Sequence, residues 1–371
     1  MGWAGRPPDS RRDAGATVLP RCKVDVQFPA MRTLHLGLVV FLCSLAAFAQ
    51  DGQQQFASLG DFKLESGETI RGCRLGYRTF GQLNSDKSNA ILFPTWFTGT
   101  TAQLVELVGP GKIVDSSKYY VVLVDALGDG ISTSPSNSQA QPRMKFPKFG
   151  IRDMVASQHQ LLTQALQVNH LKAVMGISMG GMQTFQWIVS YPDFVDKAIP
   201  IVGSPRLAPF DLMLWKGEND AIMGDPAWKN GEYAEQPALA LLTAFDGLAI
   251  ETPEKFNADT TREKLPEWFA KTEKDVAGFD ANNHIRQAQA MMAHDVSAAF
   301  GGSMDRAAAA VKAQVLVIVS ITDHMVTPGP ALDFAQLLHA DVLELRDNCG
   351  HLAPGCELAK IGPAIAGFLA K

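Results

Sequence analysis

Apolar and polar residues alternate from Asp61 to Asn84 around a Ser66-Gly67-Glu68 turn. That period-two pattern predicts an antiparallel hairpin. Short apolar runs follow at Asn89–Thr100 and Tyr119–Gly130, each closing in a glycine-rich polar loop. Runs of this kind predict strands buried on both faces. Ile151, Met154, Val155, Leu161, Leu162 and Leu166 instead recur at helical spacing. Strand and helix signals then alternate. A strand at Leu171–Gly176 leads into a helix that stops at Tyr191-Pro192, and a strand follows at Lys197–Gly203. Further on come a strand at Ala313–Asp323, a helix at Ala331–Ala340, a strand at Asp341–Asp347 and a closing helix at Glu357–Ala370. Such alternation predicts an α/β fold, a mostly parallel sheet with helices on both faces.

Between Ser204 and Asp305 the alternation stops. Asp211–Gly224, Ala238–Phe245 and Asn283–Phe300 all carry helical patterns. This stretch is expected to be a helical lid inserted between two core strands. The predicted organisation is therefore an upstream segment and leader (1–49), a first core part (50–204), the lid (205–305) and a second core part (306–371). In an open parallel sheet the site lies beyond the carboxyl ends of the strands, where an insertion would cover it.

Composition narrows the classes. Of 371 residues, 46% are hydrophobic and 19% charged, which fits a globular chain. The formal net charge of -5 gives no electrostatic footprint for nucleic acid. No mature segment reads as a stable membrane span. At Met31 a different signal begins. Arg32 precedes an apolar stretch, Leu36–Ala47, which closes on Ala47-Phe48-Ala49 before Gln50. This has the form of a cleavable secretory leader, so export to a periplasm or the medium is expected. The residues before Met31 are rich in Gly, Pro and Arg, as if translation starts at Met31. The mature cysteines are then Cys73, Cys349 and Cys356. An odd number leaves at least one thiol free or paired between chains. Cys349 and Cys356 flank His351, where an oxidising compartment permits a disulfide; small apolar filler is the competing reading. No cysteine pair has zinc-ligand spacing, and no metal is expected.

The chemistry centres on Gly176-Ile177-Ser178-Met179-Gly180, a G-x-S-x-G string between a buried strand and an amphipathic helix. In that context the string is a nucleophile elbow, which stands the serine hydroxyl clear at a helix N-terminus. A serine needs a histidine base held by a carboxylate, and here the chain order should be Ser, acid, His. Asp323 ends a predicted strand and His351 follows the next one, so Ser178, Asp323 and His351 are the expected catalytic residues. His324, His284, His294 and Asp347 are weaker rivals. The oxyanion donors are expected to be the backbone N–H groups of Met179 and, from the loop after the first core strand, Phe97.

These residues sit within a wider resemblance. "LESGE", "YRTFGQLN", "KSNAIL", "IRDMV", "GISMGGMQ", "YPD", "RLAPF", "DPAWKNGEY", "FDAN" and the His294-Asp295 pair occur in that order from Phe62 onward. The chain thus resembles the homoserine O-acetyltransferase group of the α/β-hydrolase superfamily. The resemblance implies an α/β-hydrolase fold and an acyl-enzyme on Ser178, formed from acetyl-CoA and passed to a homoserine hydroxyl. It also implies an arginine in the lid and an aspartate after the histidine, but Asn219 and Leu352 stand there. Were homoserine the acceptor, Lys216 or Arg286 would have to supply the missing contacts. Three functions follow: a serine acyltransferase with a changed acceptor, an exported esterase-like hydrolase, and a non-catalytic binding protein on the same scaffold. The first two use a small-molecule acyl donor and acceptor, with acyl-CoA open as co-substrate and no bound cofactor. A homodimer is left open.

Overall fold

The computed structural model describes residues 51–237, 240–276 and 278–371. The expected leader lies outside the described residues. Eight strands form one sheet: β1 (Gln55–Lys63), β2 (Thr69–Phe80), β3 (Ala90–Pro94), β4 (Tyr120–Val124), β5 (Leu171–Ile177), β6 (Val195–Ile201), β7 (Gln314–Ser320) and β8 (Asp341–Leu345). Their spatial order is β1-β2-β4-β3-β5-β6-β7-β8. β2 pairs antiparallel with β1 and β4, and the pairs from β4 to β8 are parallel.

Alternation within the strands builds two cores, one on each face. Leu92, Val122, Val124, Val174, Val317 and Val319 face one side, where Met154, Phe185 and Phe334 cover them. Ile91, Phe93, Leu123, Met175 and Ile318 face the other, against Ile361, Ile365 and Phe368 of the closing helix Leu358–Ala370. Burial on both faces explains why these strands read as unbroken apolar runs rather than as alternating ones.

The strand order reverses at β3, with β4 on one side and β5 on the other. Connections leaving β3 and β5 diverge there, and the crevice between them opens beyond their carboxyl ends. Between β6 and β7 the chain forms helices at Pro209–Gly224, Ala240–Ala249, Pro253–Asp259, Leu265–Val276, Ala281–Met292 and Met304–Ala310. The two ends of this insertion are pinched together. Val296 N–H donates to Pro205 O at 3.0 Å, and Arg206 faces Asp295 at 3.6 Å. Ile222, Trp228, Leu242, Val276 and Ile285 give the insertion a small core of its own.

The "IRDMV" string has a structural role. Asp153 is buried at the start of helix Ile151–Gln160. Its Oδ2 accepts the Gly150 N–H at 2.8 Å, and its Oδ1 accepts the Glu65 N–H at 2.9 Å, tying the β1–β2 turn to the helix. Asp153→Ala leaves both donors without this acceptor. The unfolding free energy from urea titration should fall by about 1–2 kcal/mol, with the m-value unchanged.

Candidate active site

Ser178 follows β5 and immediately precedes helix Met179–Ser190, with φ 58° and ψ -120°. A non-glycine residue with positive φ is strained, so its surroundings must impose the turn. They do so by close backbone approach. A Cβ on Gly176 would lie 2.3 Å from the carbonyl carbon and oxygen of Gly180, and one on Gly180 would lie 2.7 Å from Pro94 O. The second glycine after the serine matters as well: a Cβ on Gly181 would meet Ile201 O at 2.9 Å. The Ser178 N–H donates to Ile201 O at 2.9 Å, fixing the elbow to β6.

The three residues expected to act together meet. His351 Nε2 lies 2.8 Å from Ser178 Oγ, and His351 Nδ1 lies 2.6 Å from Asp323 Oδ2. Asp323 Oδ1 accepts the N–H groups of Met325 and Val326 at 2.8 and 3.0 Å, which leaves Oδ2 to the imidazole. All three side chains are buried. Of the rival histidines, His284 lines the same cavity but its ring nitrogens bond neither Ser178 nor Asp323. His324 is exposed, and His294 is buried away from the serine at the neck of the lid. Asp347 accepts the Cys349 N–H at 3.1 Å and shapes the histidine loop.

Met179 is the first residue of its helix, so its N–H has no intrahelical acceptor. The Phe97 N–H likewise has no acceptor among the described residues. The loop that carries Phe97 is held at both ends. Thr101 N–H and Oγ1–H donate to buried Asp125 at 2.6 and 3.0 Å. Thr98 N–H donates to Gln287 Oε1 at 2.8 Å, while Gln287 Nε2 donates to Leu127 O at 3.1 Å. Gln287 is thus a lid residue that positions the loop. It escaped the sequence reading because it lies on a helix face otherwise read only for its apolar spacing.

A profile of the alpha/beta hydrolase fold family matches residues 112–354. This chain belongs to the α/β-hydrolase fold family. It is 34% identical over 318 residues to the ethyl acetate hydrolase of Pseudomonas veronii, covering 81% of this chain and 90% of that one. It is 31% identical over 359 residues to the homoserine O-acetyltransferase of Pelobacter propionicus, covering 85% and 96%. The solved structure of the acetyl esterase MekB matches with a TM-score of 0.82 at 31% identity, over 86% of this chain and 97% of that one. These relatives are enzymes, and they accord with an α/β-hydrolase-fold acyltransferase or ester hydrolase.

In this α/β hydrolase, Ser178 and His351 open into a cavity of about 630 Å³ under the lid. Its walls are mostly apolar, with Trp96, Phe97, Trp215 and Phe279 among them, and Leu352 lies at its edge. Among the described residues no lysine or arginine lines it. Lys216 is exposed and paired with Asp220. Arg286 donates to the carbonyls of Met144 and Phe146 at 2.9 and 2.8 Å. Asn219 is buried in the lid, with neither amide atom hydrogen-bonded among the described residues.

Charge enters this cavity from one side only. Asp246 and His284 line it, and Glu218 lies behind His284, its Oε2 3.3 Å from Nε2. Burial raises the Glu218 carboxyl to about 8 and lowers His284 to about 4. Burial, helped by the nearby Glu218, raises Asp246 to about 7. The sequence held a signal for Glu218. Trp215, Glu218, Asn219 and Ile222 share one stripe of helix Pro209–Gly224, and all four are buried.

The histidine loop has two further ties. Cys349 and Cys356 are joined by a disulfide that encloses His351. His351 N–H donates to Ile250 O of the lid at 2.9 Å, and the Thr252 hydroxyl donates to Asn348 O. Among the described residues Cys73 is the free thiol, buried and pushed up to about 12 by desolvation.

Two outcomes follow. Replacing both Cys349 and Cys356 by serine should lower the unfolding free energy by about 2–3 kcal/mol, the value expected for so short a loop, as read by urea titration. The Glu218 carboxyl binds its proton more tightly folded than unfolded, so its ionisation costs stability as pH rises toward 8. His284 acts with the opposite sign, but only below its unfolded value near 6.5. Between pH 6.5 and 8 the His284 contribution is therefore gone, and Asp246, raised to about 7, acts with the same sign as Glu218. The Tm of the wild type should fall across that window, and Glu218→Gln should flatten the fall.

Proposed function

We propose that the protein is a serine esterase acting on short-chain esters of acetyl size, with water as the final acceptor. Ser178 Oγ attacks the ester carbonyl carbon while His351 Nε2 takes the hydroxyl proton. Asp323 Oδ2 accepts the Nδ1–H and keeps the ring in the tautomer that presents Nε2 to the serine. The N–H groups of Met179 and Phe97 receive the carbonyl oxygen as it gains charge. The alcohol leaves with the proton from His351. A water then attacks the acyl-enzyme and gives its proton to the same nitrogen, which passes it to Ser178 Oγ as the acyl–oxygen bond breaks and the acid is released.

The observation that carries this reading over acyl transfer to an amino acid is the cavity wall. The carboxylate of homoserine would enter an apolar, partly desolvated space that offers it no cation among the described residues. Burying an unpaired carboxylate is costly. The ester has no such charge to place. The two esterase-named relatives support the same reading. Export, expected from the stretch beginning at Met31, fits too: a disulfide beside His351 suits an oxidising compartment, where acetyl-CoA is not the ready donor.

The wild type should hydrolyse p-nitrophenyl acetate, and a fluorophosphonate probe should label Ser178. Ser178→Ala should lower the rate on the order of 10⁴-fold or more while the far-UV circular dichroism stays unchanged. With acetyl-CoA and homoserine, O-acetylhomoserine should not accumulate above the blank. Efficient homoserine acetylation would reject the esterase reading and restore the transferase.

A further inference from the structure

The lid contributes a polar recess that the ester chemistry does not use. Trp215, His284 and Asp246 line the cavity that holds Ser178 and His351. Glu218 lies behind His284, and Asn219 and Thr243 sit on the same two lid helices as Trp215 and Asp246, each at most 2% exposed. Glu218 Oε2 is 3.3 Å from His284 Nε2 but not in hydrogen-bonding geometry, so both carboxylate oxygens of Glu218, both ring nitrogens of His284, the indole nitrogen of Trp215 and the hydroxyl of Thr243 make no hydrogen bond among the described residues. Asp246 takes part in no ion pair or side-chain hydrogen bond among them either. Buried polar atoms are normally paired, so a group of this size within one recess calls for a missing occupant.

The chemistry of the recess narrows what that occupant is. Two carboxyl groups, Glu218 and Asp246, meet one imidazole and no lysine or arginine. Aromatic rings stand beside them. Phe97 packs edge-on against Trp215 and His284, with ring centroids 5.0 and 4.7 Å apart. Trp96 and Phe279 complete that side of the cavity. Aromatic faces attract ammonium groups through the ring quadrupole, and a desolvated carboxylate attracts them through charge. An anion would meet like charge, and a wholly apolar chain would match the rings but leave the carboxyls uncompensated.

We propose that the lid recess binds an alkylammonium group, so that the preferred substrates are esters whose alcohol part carries a cationic amine. The acyl group then lies at Ser178 and the ammonium against Asp246 and the aromatic wall, with Glu218 adding its charge from behind His284. The proposal rests on the esterase reading for its chemistry, but the recess can be tested separately from it.

The test compares two esters of nearly the same shape, acetylcholine and 3,3-dimethylbutyl acetate, which differ in whether a nitrogen cation or a neutral carbon sits at the branch. The wild type at pH 8 should favour the cationic ester by about 10-fold or more in kcat/KM. Asp246→Asn should bring that ratio to about 2-fold or less, and the ratio cancels any general loss of activity. Calorimetry on Ser178→Ala should detect choline binding, which sodium chloride at equal ionic strength does not reproduce. A wild-type ratio near one, or a ratio unchanged in Asp246→Asn, overturns the proposal. If the wild type cleaves neither ester, the esterase reading fails, and choline binding to Ser178→Ala alone decides the recess. No heat with choline then overturns the recess too. If Asp246→Asn does not fold, Glu218→Gln takes its place, with the same ratio as readout.

Discussion

The site depends on how closely the turn at Ser178 can approach its neighbours. The serine backbone is strained, and it stays so because the chain on either side is packed at distances no side chain allows. Gly176 lies against Gly180, Gly180 against Pro94 O, and Gly181 against Ile201 O. Those contacts join β5 to both neighbours, β3 and β6. The hydroxyl therefore does not float on a loop. It is held by three strands of the sheet, and the Phe97 loop that leaves β3 is set by the same packing.

That dependence explains how much could be read from the sequence. The order of strands and helices in the core was legible because burial on both faces writes unbroken apolar runs. The Ser178, Asp323 and His351 positions were legible because each follows a strand, where side chains that meet in space keep a fixed chain order. The lid was legible only as helical. Helices Pro253–Asp259 and Leu265–Val276 were not expected, since the first is only 7 residues long and the second sets a few large apolar residues among many charged ones. The disulfide was left open, because spacing alone cannot tell a bonded pair from two small apolar residues. Gln287 acts across the gap between lid and core through Thr98 and Leu127. No local pattern reports such a contact.

The lid also separates two questions that the core leaves joined. The core places Ser178, His351 and the Met179 and Phe97 N–H groups at one side of the cavity. The lid supplies Trp215, Asp246 and His284 to another part of its wall. The relatives over most of this chain include both an ester hydrolase and an acetyltransferase. In this chain that wall is aromatic and acidic.

The tie between His351 and the lid has a further bearing. His351 N–H to Ile250 O is a main-chain bond, and so is indifferent to which side chains the two positions carry. Substitutions at Ile250 can leave it in place, whereas a single inserted or deleted residue would put the carbonyl out of reach, and loss of the Thr252 hydroxyl would remove the second tie. What this stretch must hold constant is first a length, and only at Thr252 a letter. A lid can then drift in composition, and so in the molecules it admits, while it remains in step with the base that does the chemistry.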